Sequence, residues 1–241
     1  MYFLVVIIII LFIFITINHK NYPKRKDEIN YEYIKNIIIN FFIALAFGYY
    51  LNTYCKNIFN INNTIKLPNI LFHLLIVDAL FYWTHRIIHR IPILKQFLHE
   101  KHHNVKNLIP IDSLHNSHIE YSLDIFIIHY LPIFFIDISM IEYNISSLII
   151  FIYSIYLHYD INYPLLPGFV TSKYHKKHHE IGGGNYSMFF PIWDDYMNTT
   201  IKKKKTNLKK DKKTNLKKDK KTNLKKDKKT NLKKDKKTRQ K

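Results

Sequence analysis

Histidine is the residue type whose number and spacing could do chemistry here. His85 and His89 lie four apart, His99, His102 and His103 follow at three and four, and His175, His178 and His179 repeat that second pattern. Residues three or four apart share a helical face, so each cluster aims its imidazoles from one side of a helical turn. With 14 His in 241 residues, HxxHH should arise about 0.05 times by chance, and it occurs twice. Neutral imidazole is the commonest protein ligand for transition metals, and an all-imidazole set suits iron, zinc, copper or nickel. His118, two before Glu120, and His158, at the end of an apolar segment, bring the candidates to ten. A structural zinc needs only four ligands, so ten converging imidazoles favour a two-metal centre. Two iron ions beside a membrane, given two electrons from outside, could use dioxygen to take hydrogen from an unactivated carbon. That requires a dry, shaped cavity, which a groove facing lipid supplies.

Apolar helices must position these ligands. Residues 2–17 are an uninterrupted apolar run close to spanning length, without the basic start or small-residue cleavage site of a signal peptide, and read as a retained membrane helix. A second span is expected over 36–51 and a third over 67–83, opened by Pro68 and closed by Phe81, Tyr82 and Trp83 at the interface. Residues 122–138 and 145–157 are two further apolar segments, the first bent or ended by Pro132, forming either two crossings or a re-entrant hairpin. Asp78 lies within the third span, two turns before His85, and is expected to orient a ligand imidazole. His129 reads as a satisfied interior histidine rather than a ligand. Lys and Arg concentrate in 18–35, 84–121 and after 158, which puts all three His blocks and the C-terminal tail on the cytosolic face.

The net charge of +19 belongs to the tail, because residues before 202 carry 15 basic and 14 acidic side chains. From Lys202 an octapeptide, KKDKKTNL, recurs with Thr206, Thr214, Thr222, Thr230 and Thr238 in register. Its single Leu per repeat cannot build a core, so it reads as a disordered tail attracted to anionic lipid headgroups. No aromatic residue supports stacking on a nucleic acid, and none is expected as partner. The lone Cys55 excludes an internal disulfide and a thiolate metal cage. The chain therefore divides into N-terminal membrane helices and connection (1–66), a catalytic domain (67–201) and the Lys-rich tail (202–241). The fold class is an all-α integral membrane protein, with a helical anchor under a cytosolic, His-rich di-metal cap.

YWTHRIIH, HEKHH and YHKKHH, with HYDINYP between and NYSMFFPIWDDYMNT after, resemble the fatty acid hydroxylase and sterol desaturase superfamily over about residues 70–200. HNSHIEYSLDIFIIHYLP, with His115 and His118 ahead of an acid, is similar to the sterol C-5 desaturases (lathosterol oxidases). The resemblance implies a four-helix membrane anchor and two iron ions, a site that zinc can occupy in vitro. It assigns ligation to His85, His89, His99, His102, His103, His175, His178 and His179, and adds His118 and His158. Asp78, Glu120, Asn185 and Asp194 would support them. It further implies an endoplasmic reticulum membrane, a sterol, fatty acyl or sphingoid substrate, and a separate cytochrome b5-type electron donor with its reductase. Where that superfamily has Asn-Tyr-Gly, this chain has Asn185, Tyr186 and Ser187. Its Trp-Asp-Arg and Gly-Thr become Trp193, Asp194, Asp195 and Asn198, Thr199. Fatty acid, ceramide or methyl-sterol hydroxylation is the alternative within the superfamily. A metal transporter or non-catalytic metal-binding protein is the alternative outside it, but a transporter would line its spans with His, and only His73 and His129 lie there.

Overall fold

The computed structural model describes residues 11–61, 64–161 and 163–202. Residues 2–10 of the first expected span and the Lys-rich repeat from 203 onward lie outside the described residues. Within them the regular elements are helical, joined by one isolated bridge between Asn60 and Ser139. Five helices organise the site: α1 (Tyr31–Tyr54), α2 (Leu67–Arg90), α3 (His118–Asp124), α4 (Met140–Leu157) and α5 (Ser172–Ile181). Of these, α1, α2 and α4 are long and apolar enough to cross a membrane.

Each long helix starts where its sequence allows. The Asn30 side chain caps α1 by accepting the Tyr33 amide at 3.0 Å. Pro68 occupies the first turn of α2, where a missing N–H leaves no bond unmade. At α4, Ser139 and Glu142 form a reciprocal capping box. Glu142 Oε1 also accepts the Lys66 amide at 2.7 Å, which ties the starts of α2 and α4 together and makes the two helices parallel. Helix α1 runs the other way. Its first turns meet the 105–116 loop, where the Asn40 amide donates to the carbonyls of Leu114 (2.8 Å) and Asn116 (3.1 Å).

The core follows helical periodicity. Ile70, Leu74 and Val77 of α2 pack against Ile150, Tyr153 and Leu157 of α4. Near the end away from the histidines Leu51 of α1 and Cys55, just past its last turn, join Tyr143 and Ile138. Only 22%, 33% and 39% of the apolar windows of α1, α2 and α4 is buried, so Phe42, Leu71, Phe72, Leu148 and Ile152 point outward. Such a surface suits lipid, since each large apolar side chain left in water forgoes about 1.5–3 kcal/mol.

Two expectations change in detail. The third span runs on to Arg90, so His85 and His89 stand on the same helix that crosses the membrane. Residues 122–138 are not one regular helix: α3 gives way to a π turn, Ile125–Tyr130, and a 3-10 turn, Leu131–Phe134. Pro132 has no amide to continue the ladder, and the broken backbone is sheltered because Ile125, Ile128 and Ile133 are buried. The arm still runs from the histidine end, where Glu120 meets His99, to the opposite end, where Ile133 and Ile138 pack with Leu51 and Tyr143, so it is an irregular crossing rather than a re-entrant turn. Among the described residues three helices of spanning length are present, where the resemblance implies four.

Candidate metal centre

The C-terminal ends of α2 and α4, the turns from Lys95 to His103, and α5 converge at one end of the bundle. Nine of the ten candidate histidines meet there in two groups. His85, His89, His99, His103 and His178 form one, and His102, His158, His175 and His179 the other, each with its ligand atoms within 4.8 Å of one another. The groups adjoin, with the His103 and His179 rings stacked at 4.6 Å.

Helical geometry explains the division. Residues four apart differ by about 40° around a helix, whereas adjacent residues differ by about 100°. His99 and His103 therefore serve one group while His102 turns to the other, and His175 and His179 serve the second while His178 turns to the first. Each HxxHH supplies both groups. An adjacent His pair cannot aim at one ion, which is why the motif suits two.

The donor set fits metal ions. A carbonyl oxygen only accepts, so the Nδ1 atoms of His85, His158 and His178 carry protons and donate to Tyr186 O (3.0 Å), Ser154 O (2.8 Å) and Gly184 O (2.8 Å). In a neutral imidazole the inner Nε2 then holds a free lone pair, the arrangement of a metal-binding histidine. His85 Nε2 lies 3.0 Å from His99 Nε2, His178 Nε2 is 2.9 Å from His103 Nε2, and His158 Nε2 is 3.4 Å from His102 Nε2. Nitrogens about 2.0–2.1 Å from a shared ion stand about 3.0–3.4 Å apart. Burial, and secondarily the neighbouring imidazoles, hold His99, His102, His175, His178 and His179 well below the ordinary imidazole range, so they stay neutral and able to ligate. His103 is pushed down to about 3 by the same causes.

The supporting residues act in different ways. Glu120 Oε1 contacts His99 Nδ1, and its carboxyl is pushed upward by burial and by Asp124 one turn along. A cation on the far nitrogen of His99 favours the ionised carboxylate. Glu120→Gln is expected to keep the fold and weaken metal binding about 10–100-fold, measured by chelator competition. Unchanged affinity would remove Glu120 from the centre.

Asp78 does not reach an imidazole, contrary to the expectation. Its carboxylate accepts the amides of Met188 (3.1 Å), Phe189 (2.6 Å) and Phe190 (3.3 Å), because the chain bends at Met188 and Phe189 and turns three successive amides toward one buried acceptor. Asp194 likewise accepts the amides of Tyr186 (3.0 Å) and Ser187 (2.8 Å), holding the carbonyl that anchors His85. Asn185 bridges Tyr174 O (2.9 Å) and the Ile201 amide (2.7 Å). His118 stands outside both groups, exposed, with Nδ1 2.7 Å from Asn40 Oδ1. As the first residue of α3 it faces α1 rather than the centre. His129 pairs with Ser147 Oγ at 3.3 Å, as a satisfied interior histidine should.

Backbone anchors were not visible beforehand, although one signal existed. Gly184 has φ +99, and a Cβ there would lie 2.3 Å from Thr199 O, so only glycine can deliver its carbonyl to His178. Asn198, standing where the resemblance has glycine, takes φ 53, a conformation that Asn tolerates better than other side chains.

The two sides of the centre differ. His85, His99, His102, His158 and His175 face a cavity of about 310 Å³ whose walls include Ile128, Ile150, Phe151 and Leu157. His103 and His179 instead face a polar groove with Lys95, Glu100 and Glu180. A lipid chain fits the first and water the second.

Comparison with known proteins gives one match: the family described as fatty acid hydroxylase, over residues 70–199, more than half of the chain and inclusive of all nine grouped histidines. No curated protein and no solved structure matches.

Proposed function

We propose that this chain, which belongs to the fatty acid hydroxylase family, is a two-iron, dioxygen-dependent lipid oxidase whose substrate is a sterol. Family membership makes it an oxidoreductase, and its apolar helices make it a membrane protein. The observation that carries the finer reading is the junction between two imidazole groups and the end of an apolar cavity. Iron, when bound, would supply dioxygen activation, with electrons from a separate cytochrome b5-type donor and its reductase.

The protein's own contribution is placement. His85, His89, His99, His103 and His178 would hold one ion and His102, His158, His175 and His179 the other. Glu120 orients His99, and Asp194 and Gly184 fix the carbonyls on which His85 and His178 rest. The cavity walls exclude water and hold one substrate carbon beside the histidines, where restricted motion lowers the entropic part of the barrier. The segment from His115 to Pro132, similar to sterol desaturases, supports a sterol and a desaturation. Hydroxylation of a fatty acyl chain, ceramide or methyl sterol would use the same centre with a differently placed carbon. The distribution of Lys and Arg supports a cytosolic cap, and the family likeness an endoplasmic reticulum membrane.

Detergent-purified protein given iron(II), an electron donor and a panel of sterols, ceramides and fatty acids should consume dioxygen only with a lipid acceptor, and should introduce a double bond into a sterol. Hydroxylated product from an acyl lipid alone would replace the substrate assignment. Absence of oxygen-dependent product from every lipid would overturn the oxidase reading.

A further inference from the structure

We infer that the histidine-bearing cap is not wholly in water: two of its loops, 163–168 and 191–196, form a lip immersed among the acyl chains of the cytosolic leaflet. The inference is independent of the oxidase reading and concerns how the cap meets the membrane. Residues 163–168 read Tyr-Pro-Leu-Leu-Pro-Gly and are exposed throughout, without a charge. Leu165 and Leu166 are 47% and 55% exposed, and in the neighbouring turn Ile192 and Tyr196 are 57% and 81% exposed. The loops adjoin, because the Val170 amide donates to Phe189 O at 2.8 Å and the Phe169 and Phe190 rings lie 4.7 Å apart. Contiguous exposed apolar side chains of this size mark a surface that water does not cover.

What covers them is set by their level on α2. An open apolar groove joins Gly168, Phe190, Ile192 and Tyr196 to Leu75. Leu75, like Leu71 and Phe72 on the same helix, points outward at the surface that suits lipid. The lip thus continues the lipid-facing wall of α2. Trp83, with the Arg86 guanidinium 5.5 Å from its ring, marks the cytosolic interface. Leu75 precedes Trp83 by eight residues, about 12 Å of helix at about 1.5 Å each, within the half of the roughly 30 Å hydrocarbon thickness that one leaflet contributes. The lip therefore reaches below the headgroups. The distribution of Lys and Arg assigns the chain after 158 to the cytosolic side, and the lip is the part of it that descends.

Irregular backbone at this depth needs its amides paired, and this backbone is built for that. Pro164, Pro167 and Pro191 have no amide to strand. The Phe169 amide bonds Leu166 O (3.2 Å), and those of Asp195 and Met197 bond Pro191 O and Trp193 O (both 2.9 Å). Met188, Phe189 and Phe190 give their amides to Asp78. Asp78 thereby gains a reason to stand inside a spanning helix: it lets the chain beside it go where water cannot serve as acceptor. Asp195, the charged residue of the groove, accepts the Thr200 hydroxyl at 2.5 Å.

A phospholipid carrying a diazirine midway along one acyl chain, in nanodiscs holding one unmodified chain each, tests this without turnover and whatever metal is bound. After photolysis, Leu165, Leu166, Ile192 and Tyr196 should be labelled to within about threefold of Leu71 and Phe72, whose place against lipid serves as the reference. Lys173 and Glu180, exposed on α5, should be labelled roughly tenfold less. Labelled α2 beside an unlabelled lip would overturn the inference. Labelling of the lip that disappears in discs holding two chains would give the surface to a second copy of the protein and overturn it as well.

Discussion

Replacing His178 with Ala should remove one metal ion per chain and leave the other, and replacing His158 with Ala should do the converse. Each substitution should lower lipid turnover by on the order of 10³-fold, because a centre that uses two ions loses its chemistry with either. The expectation comes from the division of adjacent histidines: His178 belongs to the five-residue group and its neighbour His179 to the four-residue group. His179→Ala should therefore resemble His158→Ala, although it is His178 that lies next to it in sequence. His118→Ala is the informative contrast. Its imidazole is held by Asn40 of α1, so both ions should remain. Metal analysis of the four variants beside the parent checks the pattern, and equal loss of both ions from every variant would replace two groups with one cooperative cluster.

Asp112→Ala should be the most destabilising single change outside the centre. Arg25 is 1% exposed and Asp112 fully buried, and the guanidinium donates to both carboxylate oxygens, at 2.9 and 3.2 Å. Tyr33 Oη (2.5 Å) and the Ile109 amide (2.7 Å) donate to the same carboxylate. Removing it leaves the buried guanidinium with only the half-exposed Glu28 carboxylate as counter-charge (2.6 Å from Nε) and takes the acceptor from the Tyr33 hydroxyl and the Ile109 amide, a loss of about 3 kcal/mol. The midpoint of thermal unfolding in detergent should fall accordingly. A double variant, Arg25→Met with Asp112→Leu, should regain most of the loss, since a buried pair exchanged for apolar side chains is often neutral. Failure of the double variant to recover would assign the cost to the loop geometry rather than to the stranded charge.

The cluster around Asp112 also shows where sequence reasoning stops. Arg25 and Asp112 lie 87 residues apart, and neither occurs in a pattern that announces a partner. Eight of the nine grouped histidines were legible because they recur at helical spacing, whereas His158 stands alone in the sequence and was a candidate only from its place at the end of an apolar segment. Their allotment to two groups was not, because it depends on the angle at which each turn approaches the others. The long spans were legible from apolar length. The broken arm after α3 was only half legible: Pro132 signalled an interruption, but not that it would take the form of a π turn and a 3-10 turn sheltered by α2. Asp78 was conspicuous as a charge at membrane depth, yet it serves three amides, because backbone donors leave no trace in the sequence. Gly184 is the exception, a position where the lack of a side chain marks a carbonyl that must come close.

The most direct measurement of the central claim is an anaerobic titration of metal-free protein with iron(II), counting bound ions by native mass spectrometry and following lipid-dependent dioxygen use in the same sample. Two ions per chain are expected, with oxygen use appearing as the second site fills. Saturation at one ion, or two bound ions with no oxygen use on any lipid, would contradict the account.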